Sequence, residues 1–70
     1  MLTVDQIKAF REIEKHAKTA QRYNRDNYGE LLTATELRDY IAAHKKAPLM
    51  NSELLEYIAN IVEFEIGIRI

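Results

Sequence analysis

Seventy residues, of which 47% are hydrophobic and 30% charged, describe one globular domain (residues 1–70) rather than a disordered chain. With no cysteine, two glycines and one proline, the chain forms no disulfide and has few turn residues, which argues against an all-β fold. The net charge of −1 gives no overall attraction to nucleic acid. So short a chain buries only about 60% of its unfolded surface. We therefore expect tight helix packing or self-association to stabilise it.

The first predicted helix covers residues 3–24. Its start matches a capping box, in which the side chains of Thr3 and Gln6 each bond to the other's backbone. Apolar residues then recur at close to the helical period, which predicts a buried seam of Val4, Ile7, Phe10, Ile13 and Ala17. The stretch 24–29 is rich in Asn, Asp and Gly, and we interpret it as a loop.

The second and third predicted helices cover residues 33–46 and 51–65. Thr33 and Glu36 form a second capping box, and Leu37, Tyr40, Ile41 and His44 supply the apolar stripe that follows. Pro48 interrupts the chain, and Asn51 or Ser52 can then cap the third helix.

The C-terminal segment 62–70 supports two interpretations. Large apolar residues alternate there with polar or small ones, which is typical of a half-buried strand. We favour a helix to about residue 65. The predicted fold is therefore a small all-α, three-helix protein with an apolar C-terminal tail, and a short strand in that tail is the alternative.

The same tail is the predicted partner-binding surface. A chain terminus is normally frayed and polar, whereas this one carries large apolar side chains, and extensive apolar surface usually marks an interface. The competing interpretation is a contact within the chain, in which the tail docks onto the first helix or pairs with residues 30–32. The residues predicted to bind a protein partner, including a second copy of the chain, are Tyr57, Ile61, Phe64, Ile66, Ile68 and Ile70.

Basic residues recur every three or four positions along the first helix and therefore share one face. We interpret this face mainly as solvated or ion-paired, because Glu12 and Glu14 lie within one turn and the third helix has an acidic stripe that could face it. Nucleic-acid binding is the less favoured alternative. The possible secondary surface consists of Arg11, Lys15, Lys18, Arg22, Arg25, Tyr23 and Tyr28.

No motif indicates catalysis, a cofactor or a metal. A nucleophilic triad, a glycine-rich phosphate loop and paired carboxylates cannot be assigned, and His16 and His44 lie on different helices with too few co-ligands for a metal site. No apolar run approaches the roughly 18–20 residues that span a bilayer, and the first residues lack a signal-peptide pattern, so we expect a cytoplasmic protein without a membrane partner.

The predicted function follows by elimination. We expect a small non-enzymatic adaptor, inhibitor or antirepressor-type regulator that binds proteins, acts as a homodimer and uses neither a cofactor nor a small-molecule substrate. A DNA-associated regulator that uses the basic face of the first helix is one alternative, and a structural subunit of a larger assembly is another.

Overall fold

The computed structural model describes residues 2–67, and all regular structure in this range is helical. Helix α1 spans Val4–Tyr28, α2 spans Ala34–Ala42 and α3 spans Ser52–Val62. A short 3₁₀ helix, Ala47–Leu49, connects α2 to α3, and a π-helical turn, Glu63–Gly67, follows α3. The all-α, three-helix prediction is confirmed. Residues 62–67 are helical rather than a strand, and residues 68–70 lie outside the described range.

The helix starts are set by local side-chain chemistry, as predicted. In the first capping box the Thr3 hydroxyl accepts the Gln6 backbone N–H at 3.1 Å, and Gln6 Oε1 accepts the Thr3 N–H at 2.9 Å. Thr33 and Glu36 repeat this arrangement at 3.1 and 3.0 Å, and the hydrogen bond from the Thr33 backbone lowers the pKa of the Glu36 carboxyl. Asn51 caps α3 by accepting the Leu54 N–H at 2.8 Å.

The end of α1 differs from the prediction, because the stretch interpreted as a loop is helical. The helix continues through residues 24–28 and closes at Gly29, which adopts the left-handed conformation at φ 68° and donates its N–H to the Arg25 carbonyl at 3.1 Å. Asn27 reinforces the last turn by donating its amide to the Tyr23 carbonyl at 2.9 Å. A C-terminal cap therefore outweighs the weak helix preference of these polar residues.

The end of α2 also differs, since the helix stops at Ala42 and not near residue 46. The chain tightens into turns in which the His44 N–H bonds to the Ile41 carbonyl at 3.2 Å and the Ala47 N–H bonds to the His44 carbonyl at 2.9 Å. His44 Nδ1 accepts the Lys46 backbone N–H at 3.1 Å. This side-chain bond competes with continuation of the helix.

The core lies between α1 on one side and α2 and α3 on the other. On α1 it uses Ala9, Ile13, Ala17 and Gln21. Val4 and Ile7 are 67% and 40% exposed, so the prediction that they belong to the buried seam is wrong. Because the alanines on this face are small, α1 can pack closely against both α2 and α3 there. This face is therefore buried in preference to the one with larger apolar side chains. The rest of the core is Leu37, Ile41, Met50, Ile58, Ala59, Val62 and Ile66.

Two polar contacts tie the elements together. The buried Gln21 accepts the Leu32 backbone N–H at 2.7 Å, which fixes the connection between α1 and α2. Arg38 joins α2 to α3: its Nη2 and Nε contact the two carboxylate oxygens of Glu56 at 2.7 and 2.8 Å, and its Nη1 contacts Glu63 at 2.8 Å. The guanidinium lowers the pKa of Glu56.

No helix within residues 2–67 is both long and apolar enough to cross a membrane.

Candidate interaction surface

An aromatic stripe runs along the outside of α3 and of the π-helical turn that follows it. Tyr57 is 60% exposed and Phe64 is 68% exposed, with the half-buried Ile61 between them. Spacings of four and three residues place these side chains on one helix face. We call these three residues the α3 outer face. The Phe10 ring of α1 lies 6.0 Å from the Tyr57 ring and supports the inner edge of this face.

Ile66 does not belong to this surface, although the sequence analysis grouped it with the partner-binding residues. Its side chain is only 4% exposed and lies in the core cluster with Ile58 and Val62. The turn that follows α3 keeps Ile66 in the inward-facing row, four residues beyond Val62. Ile68 and Ile70, predicted for the same surface, lie outside the described residues.

Ion pairs flank the α3 outer face on both sides. Towards α2, Arg38 holds Glu56 and Glu63. Towards α1, Lys18 contacts Glu65 and also Glu14, and the Glu65 carboxylate raises the pKa of Lys18. Glu56, Glu63 and Glu65 are thus paired within the chain. Glu53 and Asn60 are also exposed on this side of α3, and Glu53 forms no ion pair within residues 2–67.

The basic residues of α1 divide into two groups. Lys18 and Arg25 are ion-paired, the latter with Asp26 at 3.0 Å. Lys8, Arg11, Lys15 and Arg22 form no ion pair with any side chain of residues 2–67. The suggestion that the acidic stripe of the third helix faces this basic face is wrong for Glu56 and Glu63, which contact Arg38 of α2.

Tyr23 and Tyr28 form an exposed aromatic pair at the end of α1. Their rings meet edge to face with centroids 6.0 Å apart, and the side chains are 57% and 67% exposed. Because α1 extends to Tyr28, this residue lies on the same helix as Tyr23, five positions further along, and the two rings reach each other past the last turn. Arg22 and Arg25 lie in the same terminal segment of α1.

A second feature, which the sequence analysis did not find, lies in the groove between α1 and the end of α2. The Tyr40 hydroxyl lies 2.7 Å from His16 Nε2, and the two rings stack with centroids 5.2 Å apart. The His44 ring packs edge-on against His16 at 5.3 Å. Only the packing of α1 on α2 brings these residues together. Nowhere in the part of the chain that the structure describes do three potential metal-ligating side chains converge.

Comparison of the chain with protein-family models, with curated proteins and with solved structures gives no match.

Proposed function

We propose that this chain is a small protein-interaction module, of the adaptor or inhibitor class of regulators, which self-associates through the α3 outer face. The observation that carries the proposal is the exposure of Tyr57 and Phe64, both more than half accessible on one helix face. Aromatic side chains are enriched at the centres of protein interfaces, where charged residues are depleted.

The spacing of the three residues favours a second copy as the occupant. When two α3 helices pack antiparallel about a two-fold axis near residues 60 and 61, Tyr57 of each copy faces Phe64 of the other. The two Ile61 side chains then meet near the axis. Such a contact is self-complementary, as a two-fold interface requires. Offset or edge-to-face Tyr–Phe pairs contribute about 0.5–1.5 kcal/mol beyond their buried area.

The exposed apolar area sets the expected strength. Tyr57 and Phe64 expose 60% and 68% of their surface, together about 250 Å² per copy, whereas a standard interface buries about 800 Å² on each partner. The flanking polar residues must supply the remainder. We therefore expect a dimer with a dissociation constant in the micromolar range rather than the nanomolar range.

Analytical ultracentrifugation across micromolar to millimolar concentrations tests this prediction. The parent should shift from an 8.2 kDa species to one of twice that mass. Phe64→Asp should remain monomeric and helical, because a charge at this position opposes desolvation without touching the core. Val4→Asp is the matched control, since Val4 is equally exposed, at 67%, but lies on α1.

A parent that stays monomeric over the whole range would refute self-association. Loss of the dimer in both variants would instead show a general effect of added negative charge. Ile66→Asp is unsuitable for this test, because it inserts a charge into the core and would unfold the chain whether or not a dimer forms.

A second candidate is a DNA-associated regulator, and it is favoured by the cations of α1 that form no ion pair within residues 2–67, namely Lys8, Arg11, Lys15 and Arg22. Binding through phosphates weakens steeply with salt, whereas an apolar protein contact does not. A gel shift with duplex DNA at low and at physiological salt separates the two candidates.

A further inference from the structure

The groove between α1 and the end of α2 has the chemistry of an anion site. It is open to solvent, has a volume of about 560 Å³ and is lined by Glu12, Lys15, His16, Thr19, His44 and Lys45. Ligand sites commonly have volumes of about 300–1,000 Å³. We infer that this groove binds the phosphate group of a small phosphorylated ligand. The inference is independent of the α3 outer face, because the two sites share no residue.

The hydrogen bond that His44 accepts leaves its second ring nitrogen as a donor. Its Nδ1 accepts the Lys46 backbone N–H at 3.1 Å, so this nitrogen carries no proton. In the neutral imidazole the proton is then on Nε2, which can donate to a ligand. The same tautomer argues against a metal at His44, because Nε2 offers no free lone pair and Nδ1 is already bonded.

The charges around the groove are mostly positive. Lys15 and Lys45 line it and form no ion pair with the described side chains. The one carboxylate among the lining residues, Glu12, is held by Lys46 at 2.9 Å, and this contact lowers the pKa of Glu12, with a further contribution from the charge of Lys45. Glu12 is thus already neutralised by its partner, whereas two ammonium groups remain for a ligand.

A phosphate group matches this set of donors. It is compact, carries up to two negative charges and offers several acceptor oxygens to ammonium and imidazole N–H groups. The His16–Tyr40 stack holds the histidine ring at the wall of the groove, since the Tyr40 hydroxyl contacts its Nε2 at 2.7 Å. The two imidazole rings are therefore oriented before a ligand arrives, which lowers the entropic cost of binding.

Nuclear magnetic resonance titration tests the inference, with sodium pyrophosphate as the probe at constant ionic strength. We expect saturable shifts confined to residues 12–19 and 43–46, together with movement of the imidazole nitrogen resonances of His16 and His44. Lys15→Gln combined with Lys45→Gln should weaken binding about ten-fold, because charge-assisted hydrogen bonds are lost. Lys8→Gln combined with Arg22→Gln removes the same charge elsewhere on α1 and should change affinity by less than about two-fold.

Titration with ADP distinguishes the source of the phosphate. Equal affinity for ADP and pyrophosphate indicates that only the phosphates are recognised, whereas tighter binding of ADP adds a contact to the nucleoside, and both results support the site. Shifts that spread over all basic residues without saturation would overturn it. The inference would also be overturned if the two double variants weakened pyrophosphate binding equally. Binding of duplex DNA by a protein that does not bind pyrophosphate would overturn it too.

Discussion

At the scale of single residues, Gln21 shows how a polar side chain can be part of a core. It occupies the inward-facing row of α1 at 1% exposure and bonds to the Leu32 backbone at 2.7 Å. A buried polar group is tolerated when it has a fixed hydrogen-bond partner. Here the partner is the backbone of the connecting segment that leads into α2. Hydrophobic periodicity cannot identify such a residue, because a glutamine on a helix is normally counted as solvent-exposed.

Gln21→Met keeps the length and volume of the side chain but removes the acceptor. The Leu32 N–H then loses its partner, so we expect the free energy of unfolding to fall by about 1–3 kcal/mol. Urea denaturation followed by circular dichroism measures this difference. Arg22→Met, one residue along on the exposed face, is the control and should change stability little. If the two variants are equally stable, the Gln21 bond contributes nothing to stability.

At the scale of helices, starts were predictable and ends were not. A capping box is encoded within four consecutive residues, so Thr3 and Thr33 identify their helices from sequence alone. The ends depend on distant contacts or on turn geometry: α1 continues to the cap at Gly29, and α2 stops where His44 bonds to the backbone of Lys46. Glu56 and Glu63 were predicted to belong to an acidic stripe, but their partner, Arg38, lies on a different helix from the one expected.

The Arg38 contact gives the packing of α2 on α3 a dependence on pH. Its guanidinium lowers the pKa of Glu56 below the ordinary value of 4.5. The resulting stabilisation is fully present above pH 4.5 and is lost as the pH falls through the lowered pKa. Glu56→Gln should therefore lower the melting temperature at pH 7, and the difference from the parent should shrink at about pH 3.

Glu30→Gln is the control for this effect, because Glu30 is exposed in the connection between α1 and α2 and forms no ion pair within residues 2–67. A Glu56→Gln variant that melts with the parent at both pH values would show that the contact with Arg38 does not stabilise the fold.

At the scale of the whole molecule, α1 sets the dimensions. Twenty-five residues at 1.5 Å each give about 37 Å, which equals the longest extent of the molecule, 37 Å. The shorter helices pack along this axis, so α1 contributes to both the phosphate groove and the support of the α3 outer face. The class of fold followed from composition and helix patterns. The groove could not be predicted from the sequence, because His16 and Tyr40 are 24 positions apart and meet only through the packing of α1 on α2.

The left-handed backbone conformation of Gly29 determines which enantiomer of alanine can replace this glycine without strain. A side chain added there would meet no atom within 4 Å, so any penalty for L-alanine comes from the backbone angle and not from crowding. D-alanine prefers this same angle and narrows the unfolded ensemble. Because the chain is short enough for chemical synthesis, both enantiomers can be compared in thermal denaturation. Gly29→D-Ala should stabilise the protein by about 0.4–1 kcal/mol, whereas Gly29→L-Ala should destabilise it by about 1–2 kcal/mol.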